Sequence, residues 1–262
     1  MNFKQILSEF EYLSWPEVEN IAKDKRSTII WPFGAVEQHG PHLPLATDSI
    51  FVDEIICEVL KSIPPNSPLK KLPTQYIGFS PEHKGFDGTI SLSSELLTSM
   101  IKEVGVQLSD MGFKRLILLN GHGGQISLLN MAARELRSCA PNLSVFPCFL
   151  WSGVVGLNSL LSKEELENGL HASLAETSLM LSLRPELVGD SRPFENVEVK
   201  IPEGWSLEGN APTAWLTEDL SKSGVIGDSR GANENLGNQL RTLLINHWQK
   251  MIINLMDSDW PN

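Results

Sequence analysis

Three short segments of the chain hold the residue types that bind metal ions and transfer protons. The first contains Glu37 and His39 and continues through a proline-containing loop to Asp48. Glu37 and His39 are two residues apart, so on an extended segment their side chains point the same way, and the loop can return Asp48 to them. Carboxylates and imidazoles are ligands of divalent transition metals. This segment is therefore either a metal site or a group of polar residues at a solvated strand end.

The second segment is a glycine-rich loop, Asn120 to Gly124, with His122 at its centre. The apolar run before it predicts a strand that delivers the imidazole into the loop, where glycine permits close backbone approach. The loop lacks the lysine and the spacing of a phosphate-binding P-loop. His122 is either a metal ligand or a turn residue, and its position after a second strand end places it near the first segment.

The third segment runs from residue 171 to 178 and leads into an apolar run that predicts a buried helix. A carboxylate there costs free energy unless it is paired or bound to metal, so Glu176 is either a ligand or a member of a buried ion pair. His171, near the same rim, is either a catalytic group or a helix cap. His247 lies on the apolar stripe of a C-terminal helix and is predicted to pack there rather than bind metal.

Strands alternate with helices along the chain, which predicts βαβ units and a mostly parallel sheet in an α/β fold. In such sheets the ligand site lies at the carboxyl ends of the strands, where the first two segments fall. The predicted strands span residues 28–36, 72–79, 116–119 and 143–150. The predicted helices begin after Ser14, at Asp48, and after Ser93 or Ser94, and the later ones span residues 125–138 and 233–256.

The composition disfavours two classes of partner, nucleic acids and membranes. The 262 residues carry 21 basic and 32 acidic side chains, a net charge of −11, which disfavours binding to nucleic acid. No apolar run is long enough to cross a bilayer, so no membrane partner is expected. The first residues do not resemble a signal peptide. The chain has three cysteines and no CxxC pair, which predicts buried free thiols in a reducing cytoplasm. These cysteines are Cys57, Cys139 and Cys148.

We expect a single domain over residues 1–262, interrupted by an irregular acidic excursion at about 186–219. That stretch holds eight acidic and two basic residues and is broken by prolines. It is either a solvated surface loop or a segment that covers the site or packs on a neighbouring subunit.

The three segments together resemble the creatininase (creatinine amidohydrolase) family, in the family's order. The resemblance implies a three-layer αβα sandwich, usually assembled as a hexamer, so a homo-oligomer is expected. The resemblance rests on residues 34–44 with Thr47 and Asp48, on residues 120–124 and on residues 171–178. Weaker similarity to the family lies at residues 13–17, 88–92 and 224–228.

The resemblance also implies a centre of two divalent metal ions, for which the mixed oxygen and nitrogen ligands suit Zn, Mn or Fe. Glu37, Asp48 and His122 match the ligands of one metal. His39, Asp48 and Glu176 match those of the other, so Asp48 would bridge. His171 matches the proton-shuttling histidine.

The expected function is hydrolysis of a non-peptide C–N bond in a small cyclic amide or formamide by a dimetal-activated water. Alternatives are hydrolysis of a peptide bond or phosphoester, or a non-catalytic hexameric scaffold. His42, His83 and Gly123 are expected to line the substrate pocket. Creatininase carries an aromatic residue and a glutamate after its metal-binding histidine, where this chain has Gly123 and Gly124. That difference predicts a wider pocket with one fewer acidic group and poor activity on creatinine.

Overall fold

A four-stranded parallel sheet forms the centre of the protein in a computed structural model that describes residues 8–64, 66–195, 201–209 and 211–261. The strands lie in the order β2-β1-β3-β4. Parallel neighbours need crossover connections, which the helices between the strands supply. The strands are β1 (Thr28–Phe33), β2 (Leu69–Lys71), β3 (Arg115–Asn120) and β4 (Ser144–Phe149).

The helices cover both faces of the sheet. In chain order, the longer ones are α1 (Trp15–Ala22), α2 (Thr47–Lys61), α3 (Ser94–Met111) and α4 (Ile126–Cys139). After β4 come α5 (Leu157–Leu160), α6 (Lys163–Asn168), α7 (Leu174–Leu183), β5 (Phe194–Glu195), α8 (Thr217–Leu220), β6 (Gly227–Asp228) and α9 (Glu234–Asp257). The two-residue strands β5 and β6 pair antiparallel, apart from the main sheet.

Alternation of side chains along the strands divides the apolar core into two clusters. Ile30 and Ile117 pack with α2, α7 and α9 on one face of the sheet. Their neighbours Ile29 and Leu116 pack with α1, α3 and α4 on the other face. Strands β1, β2 and β3 are fully buried, as expected for a parallel sheet covered by helices, whereas the edge strand β4 is mostly half-buried. The result is the predicted three-layer αβα sandwich.

Several helix boundaries follow the predicted capping signals. Ser14 and Glu17 form a capping box before α1, with the Ser14 backbone N–H donating to Glu17 Oε2 at 2.7 Å. Ser93 caps α3 and Asn233 caps α9, each accepting a hydrogen bond from a backbone N–H of the first turn. Gly112 ends α3 in the left-handed region with φ of 107°, which favours glycine.

The strand predicted at residues 72–79 is wrong, because β2 lies earlier, at Leu69–Lys71. Its two lysines conceal it from a search for apolar runs. Lys71 is nonetheless buried, since its ammonium lies 3.0 Å from Glu9 and 3.2 Å from Asp53. The first strand also ends at Phe33 rather than at residue 36, where Val36 forms only an isolated bridge to Ile90.

The cysteines and the acidic segment differ in part from expectation. None of the three cysteines, all within the described residues, forms a disulfide, but Cys139 is exposed and the other two are half-buried rather than buried. The described part of residues 186–219 is largely irregular, while residues 196–200 and 210 lie outside the described residues. Its end returns to the interior, where Thr217 is fully buried.

No helix in the described part of the chain has both the length and the hydrophobicity to span a membrane.

Candidate metal centre

The loop after β1 places three of the predicted ligands together. The backbone N–H of Glu37 donates to the carbonyl of Leu45 at 2.9 Å, which folds the loop back so that α2 begins beside the strand end. Asp48 stands in the first turn of α2, and its Oδ1 lies 3.4 Å from His39 Nε2. His39 Nδ1–H donates to the Glu37 carbonyl at 3.2 Å, so Nε2 is the nitrogen that faces the carboxylates.

His122 joins them from the end of β3. The Asn120 side chain accepts from the His122 backbone N–H at 2.9 Å and donates to the His122 carbonyl at 2.7 Å. Gln125 donates to the same Asn120 oxygen at 2.9 Å, which fixes the amide orientation. Held in this way, His122 Nδ1 lies 3.1 Å from Glu37 Oε1 and 3.3 Å from Asp48 Oδ2.

The third segment reaches the same point from the start of α7. Ala172 adopts a left-handed backbone with φ of 53°, and its N–H donates to Glu176 Oε2 at 2.6 Å. Strain of this kind persists only where the surrounding structure holds it, and it is frequent at functional sites. His171 Nε2–H donates to the Gln38 carbonyl at 2.7 Å. Its Nδ1 therefore faces the cluster, 3.9 Å from Glu37 Oε1.

Unpartnered buried atoms show that this cluster fits a bound cation. Among the described residues, Glu37 Oε1 and Oε2, His39 Nε2 and Asp48 Oδ2 are buried without a hydrogen-bond partner. Leaving such groups unpaired is costly, and metal coordination removes that cost. Within the described part of the chain, four sets of residues have potential ligand atoms within 4.8 Å of one another: Glu37, His39 and Asp48; Glu37, Glu82 and His122; His39, His171 and Glu176; and Glu37, His83 and His171.

The pKa shifts at the centre result from burial and from close contact between carboxylates and imidazoles. Burial raises the pKa of Glu37, and it raises that of Glu176 to about 7. Burial by itself lowers the pKa of His39, but nearby carboxylates, Asp48 foremost, outweigh it and raise the pKa to about 9. Burial and the neighbouring imidazoles of His39 and His83 lower the pKa of His171. The carboxylates thus create a field that favours positive charge at the centre.

The residues predicted to line the pocket lie at different distances from this centre. His83 belongs to it: Nε2 lies 3.4 Å from Glu37 Oε1, and its ring centroid lies 4.1 Å from that of His171. His42 is buried to one side, where its Nε2–H donates to Thr177 Oγ1 at 2.8 Å. Gly123 is exposed, and no atom lies within 4 Å of the position that a Cβ would take there.

Three residues of the site escaped sequence reasoning. Gln38 donates to His83 Nδ1 at 2.9 Å, and Thr217 lies 2.7 Å from the same nitrogen. Glu82 lies 3.1 Å from His122 Nε2, so a carboxylate stands beside this histidine although neither glycine after it carries one. A different loop supplies the carboxylate. The only signal for Glu82 was its position next to His83 in a loop bounded by proline and glycine.

Comparison with known proteins agrees with this geometry. The family described as "Creatininase: Creatinine amidohydrolase" matches residues 11–252. A mycofactocin precursor peptide peptidase from Mycobacterium ulcerans is 32% identical, over 77% of this chain and 72% of the relative. A creatinine amidohydrolase from Pseudomonas putida is 28% identical, over 72% of this chain and 77% of the relative.

Solved structures show the same fold. A creatininase described as a Mn form and a mutant creatininase of Zn-Zn type each superpose with a TM-score of 0.77 and 22% identity. Each comparison covers 96% of this chain and 99% of the other. The family match spans nearly the whole chain and agrees with the αβα fold and the cluster of potential metal ligands. The chain therefore belongs to the creatininase family and is a metal-dependent amidohydrolase of the creatininase type.

Proposed function

We propose that the protein hydrolyses a non-peptide C–N bond in a small cyclic amide or formamide, using two divalent metal ions per chain. The observation that carries this proposal is the group of unpartnered buried atoms on Glu37, His39 and Asp48 beside the free nitrogen of His171. Glu37, Asp48 and His122 would hold one ion, and His39, Asp48 and Glu176 the other. Zn, Mn and Fe all suit such a ligand set.

The chain's own groups divide the remaining work of the reaction. Metal ions held at these residues would polarise the amide carbonyl and lower the pKa of a water molecule. His171 has one nitrogen committed to the Gln38 carbonyl, so its Nδ1 is the atom that accepts a proton and then donates it to the leaving nitrogen. His83 is held by Gln38 with its Nε2–H toward the centre, where it can donate to a substrate oxygen.

Hydrolysis of a peptide bond is the second candidate. The identity of 32% with a mycofactocin precursor peptide peptidase favours it. Exposure of Gly123 and the open space beside it would leave room for a chain that extends beyond the scissile bond. The same metal ligands and the same proton transfer by His171 would serve either substrate, so the two candidates differ only in what surrounds the bond.

Metal analysis combined with a substrate panel tests the proposal. Protein purified without chelator should contain close to two divalent metal ions per chain, and Asp48→Ala should lower occupancy at both positions because Asp48 contributes to each. Activity should appear on cyclic amides or formamides, disappear with a chelator and return with added metal. Activity confined to peptides would select the second candidate, and a protein that binds no metal would contradict both.

Creatinine belongs in the same panel as a discriminating substrate. We expect poor turnover, because Gly123 offers no side chain where creatininase carries an aromatic residue. Turnover of creatinine comparable with that of the best amide tested would contradict this expectation. We also propose that the protein is a homo-hexamer, as the family resemblance implies, and that it is cytoplasmic, as its cysteine pattern suggests. Native mass spectrometry of the purified protein tests the subunit number.

A further inference from the structure

The carboxylate of Glu82 lies on the side of His122 that faces away from the other predicted ligands. His122 Nδ1 faces Glu37 and Asp48 at 3.1 and 3.3 Å, whereas Nε2 lies 3.1 Å from Glu82 Oε1. The two nitrogens of an imidazole point to different sides of the ring, so an ion held at one leaves the other free to donate a hydrogen bond. Metal-binding histidines commonly donate that second N–H to a carboxylate.

The surroundings of Glu82 are those of a fixed group. It lies in the short turn Pro81–His83, and its side chain is only 13% exposed. Ser80 Oγ lies 3.4 Å from the same His122 nitrogen, a longer contact than that of Glu82. His83, the next residue, is held by Gln38 and Thr217. The turn is therefore anchored on both sides of the carboxylate.

Gly124 makes the contact between Glu82 and His122 possible. A Cβ at position 124 would overlap Glu82 Oε1 and would lie 2.6 Å from His122 Nε2. The Glu82 carboxylate thus occupies the space that a side chain at position 124 would need. Gly123, by contrast, has nothing within 4 Å of its Cβ position. The two glycines of the loop therefore have different roles, and only Gly124 is required for the approach of Glu82.

We propose that Glu82 is a positioning residue for His122. It accepts the Nε2–H of the ring and so keeps Nδ1 as the nitrogen on the side of Glu37 and Asp48, where a shared ion would lie. This inference rests on the proposed function, in which His122 is a metal ligand. The new element is that the affinity for the ion bound by His122 depends on the Glu82 carboxylate, which comes from another loop. The carboxylate can approach because Gly124 has no side chain.

Metal affinity of the purified protein, measured by competition with a chelator using Zn²⁺ and Co²⁺, tests the inference. Glu82→Ala should weaken binding at one of the two metal positions by roughly 10- to 100-fold, the usual effect of removing such a partner. The other position should keep the parent affinity. Glu82→Gln should lose less, because its amide oxygen can still accept the N–H. The absorption spectrum of the Co²⁺ protein should change in Glu82→Ala, since the orientation of one ligand changes.

The loop glycines provide a matched pair of variants. Gly124→Ala should weaken the same position as Glu82→Ala does, because it displaces the carboxylate. Gly123→Ala should leave metal affinity unchanged. In the double variant, the loss of the Glu82 contact should count only once, since either change removes it, while the contact of the alanine methyl group with His122 Nε2 remains as in Gly124→Ala. Thermal unfolding of each variant verifies that it is folded.

These measurements distinguish a failure of the positioning role of Glu82 from a failure of the proposed function. If the parent binds two ions and Glu82→Ala binds them equally well, the positioning role is wrong while the proposed function stands. If Glu82→Ala abolishes one position entirely, Glu82 is a direct ligand instead. If the effects of Glu82→Ala and Gly124→Ala add, the glycine acts independently of Glu82. A parent protein that binds no metal would defeat both the proposed function and this inference.

Discussion

Each imidazole at the centre has one ring nitrogen committed to a fixed partner. His39 Nδ1–H donates to the Glu37 carbonyl, and His171 Nε2–H donates to the Gln38 carbonyl. His83 Nδ1 accepts from the Gln38 amide. The partner of one nitrogen decides the protonation of the other, so these contacts determine what each histidine offers to the centre. His171 offers a lone pair and His83 offers an N–H, whereas His39, whose pKa the carboxylates raise to about 9, offers a lone pair only after Nε2 loses its proton.

Replacing His171 with asparagine should separate proton transfer from metal binding. We expect turnover to fall by roughly 10²- to 10⁴-fold, the usual range for a general acid–base group, with metal content near that of the parent. Glu176→Ala should instead lose one equivalent of metal. Steady-state kinetics and elemental analysis of the two variants, prepared in parallel, provide the measurement.

The close spacing of these two residues makes the comparison informative. His171 and Glu176 flank the strained Ala172, so a general disruption of this segment would affect both variants alike. A His171→Asn variant that keeps full activity would make the histidine structural. One that loses metal as Glu176→Ala does would make it a ligand, as its proximity to His39 and Glu176 would permit.

At the scale of elements, the approach of β3 to α2 sets the distance between His122 and Asp48. Gly121 lies between β3 and His122, and a Cβ there would overlap the backbone carbonyl of Asp48. Glycine is required because the end of a strand packs directly against the first turn of a helix. Ligands from two elements are thus brought within 3.3 Å of each other by backbone contact.

Gly121→Ala should therefore affect both stability and metal binding. Forcing a methyl group into this contact should cost about 1–3 kcal/mol in the free energy of unfolding. Metal affinity should also fall, since Asp48 and His122 are pushed apart. Urea unfolding and chelator competition measure the two effects. Gly123→Ala serves as control, and equal behaviour of the two variants in both assays would contradict the argument.

At the scale of the whole molecule, Arg115 connects the central sheet to the end of the chain. Its guanidinium donates to the carbonyls of Leu255, Ser258 and Trp260 at 2.8, 2.8 and 2.6 Å. The residue is fully buried at the start of β3. These bonds fix the last turn of α9, whose apolar side packs on α2 and α7. The C-terminal helix is thereby tied to the strand that delivers His122.

Arg115→Met should destabilise the protein by about 2–4 kcal/mol, because it removes the three hydrogen bonds of a buried guanidinium while keeping an apolar stem. Denaturant unfolding followed by both circular dichroism and tryptophan fluorescence measures the change. We propose that residues 1–262 form a single domain, so both probes should report one coincident transition. Arg230→Met, which removes an exposed ion pair with Asp228 and should change stability little, is the control. Two separate transitions in the parent would contradict the single domain.

The fold class and most of the candidate ligand residues could be predicted from the sequence. Helix periodicity, capping residues such as Ser14 and Ser93, and the apolar runs of β1, β3 and β4 are local patterns, and local patterns decide local structure. Glu37, His39, Asp48 and His122 could be named because ligand-type residues recur where parallel strands end. The order of the motifs identified the family.

Only the tertiary structure decided the remainder. Strand β2 was missed because Lys71 is paired with Glu9 and Asp53, which are distant in sequence. Glu82 and Gln38 act through contacts with residues of other loops, and no periodicity records such contacts. The absence of a side chain at Gly124 and the position of the Glu82 carboxylate are linked only in space. The physical reason is that packing, rather than neighbouring sequence, selects which distant polar groups meet and which atoms of each imidazole remain free.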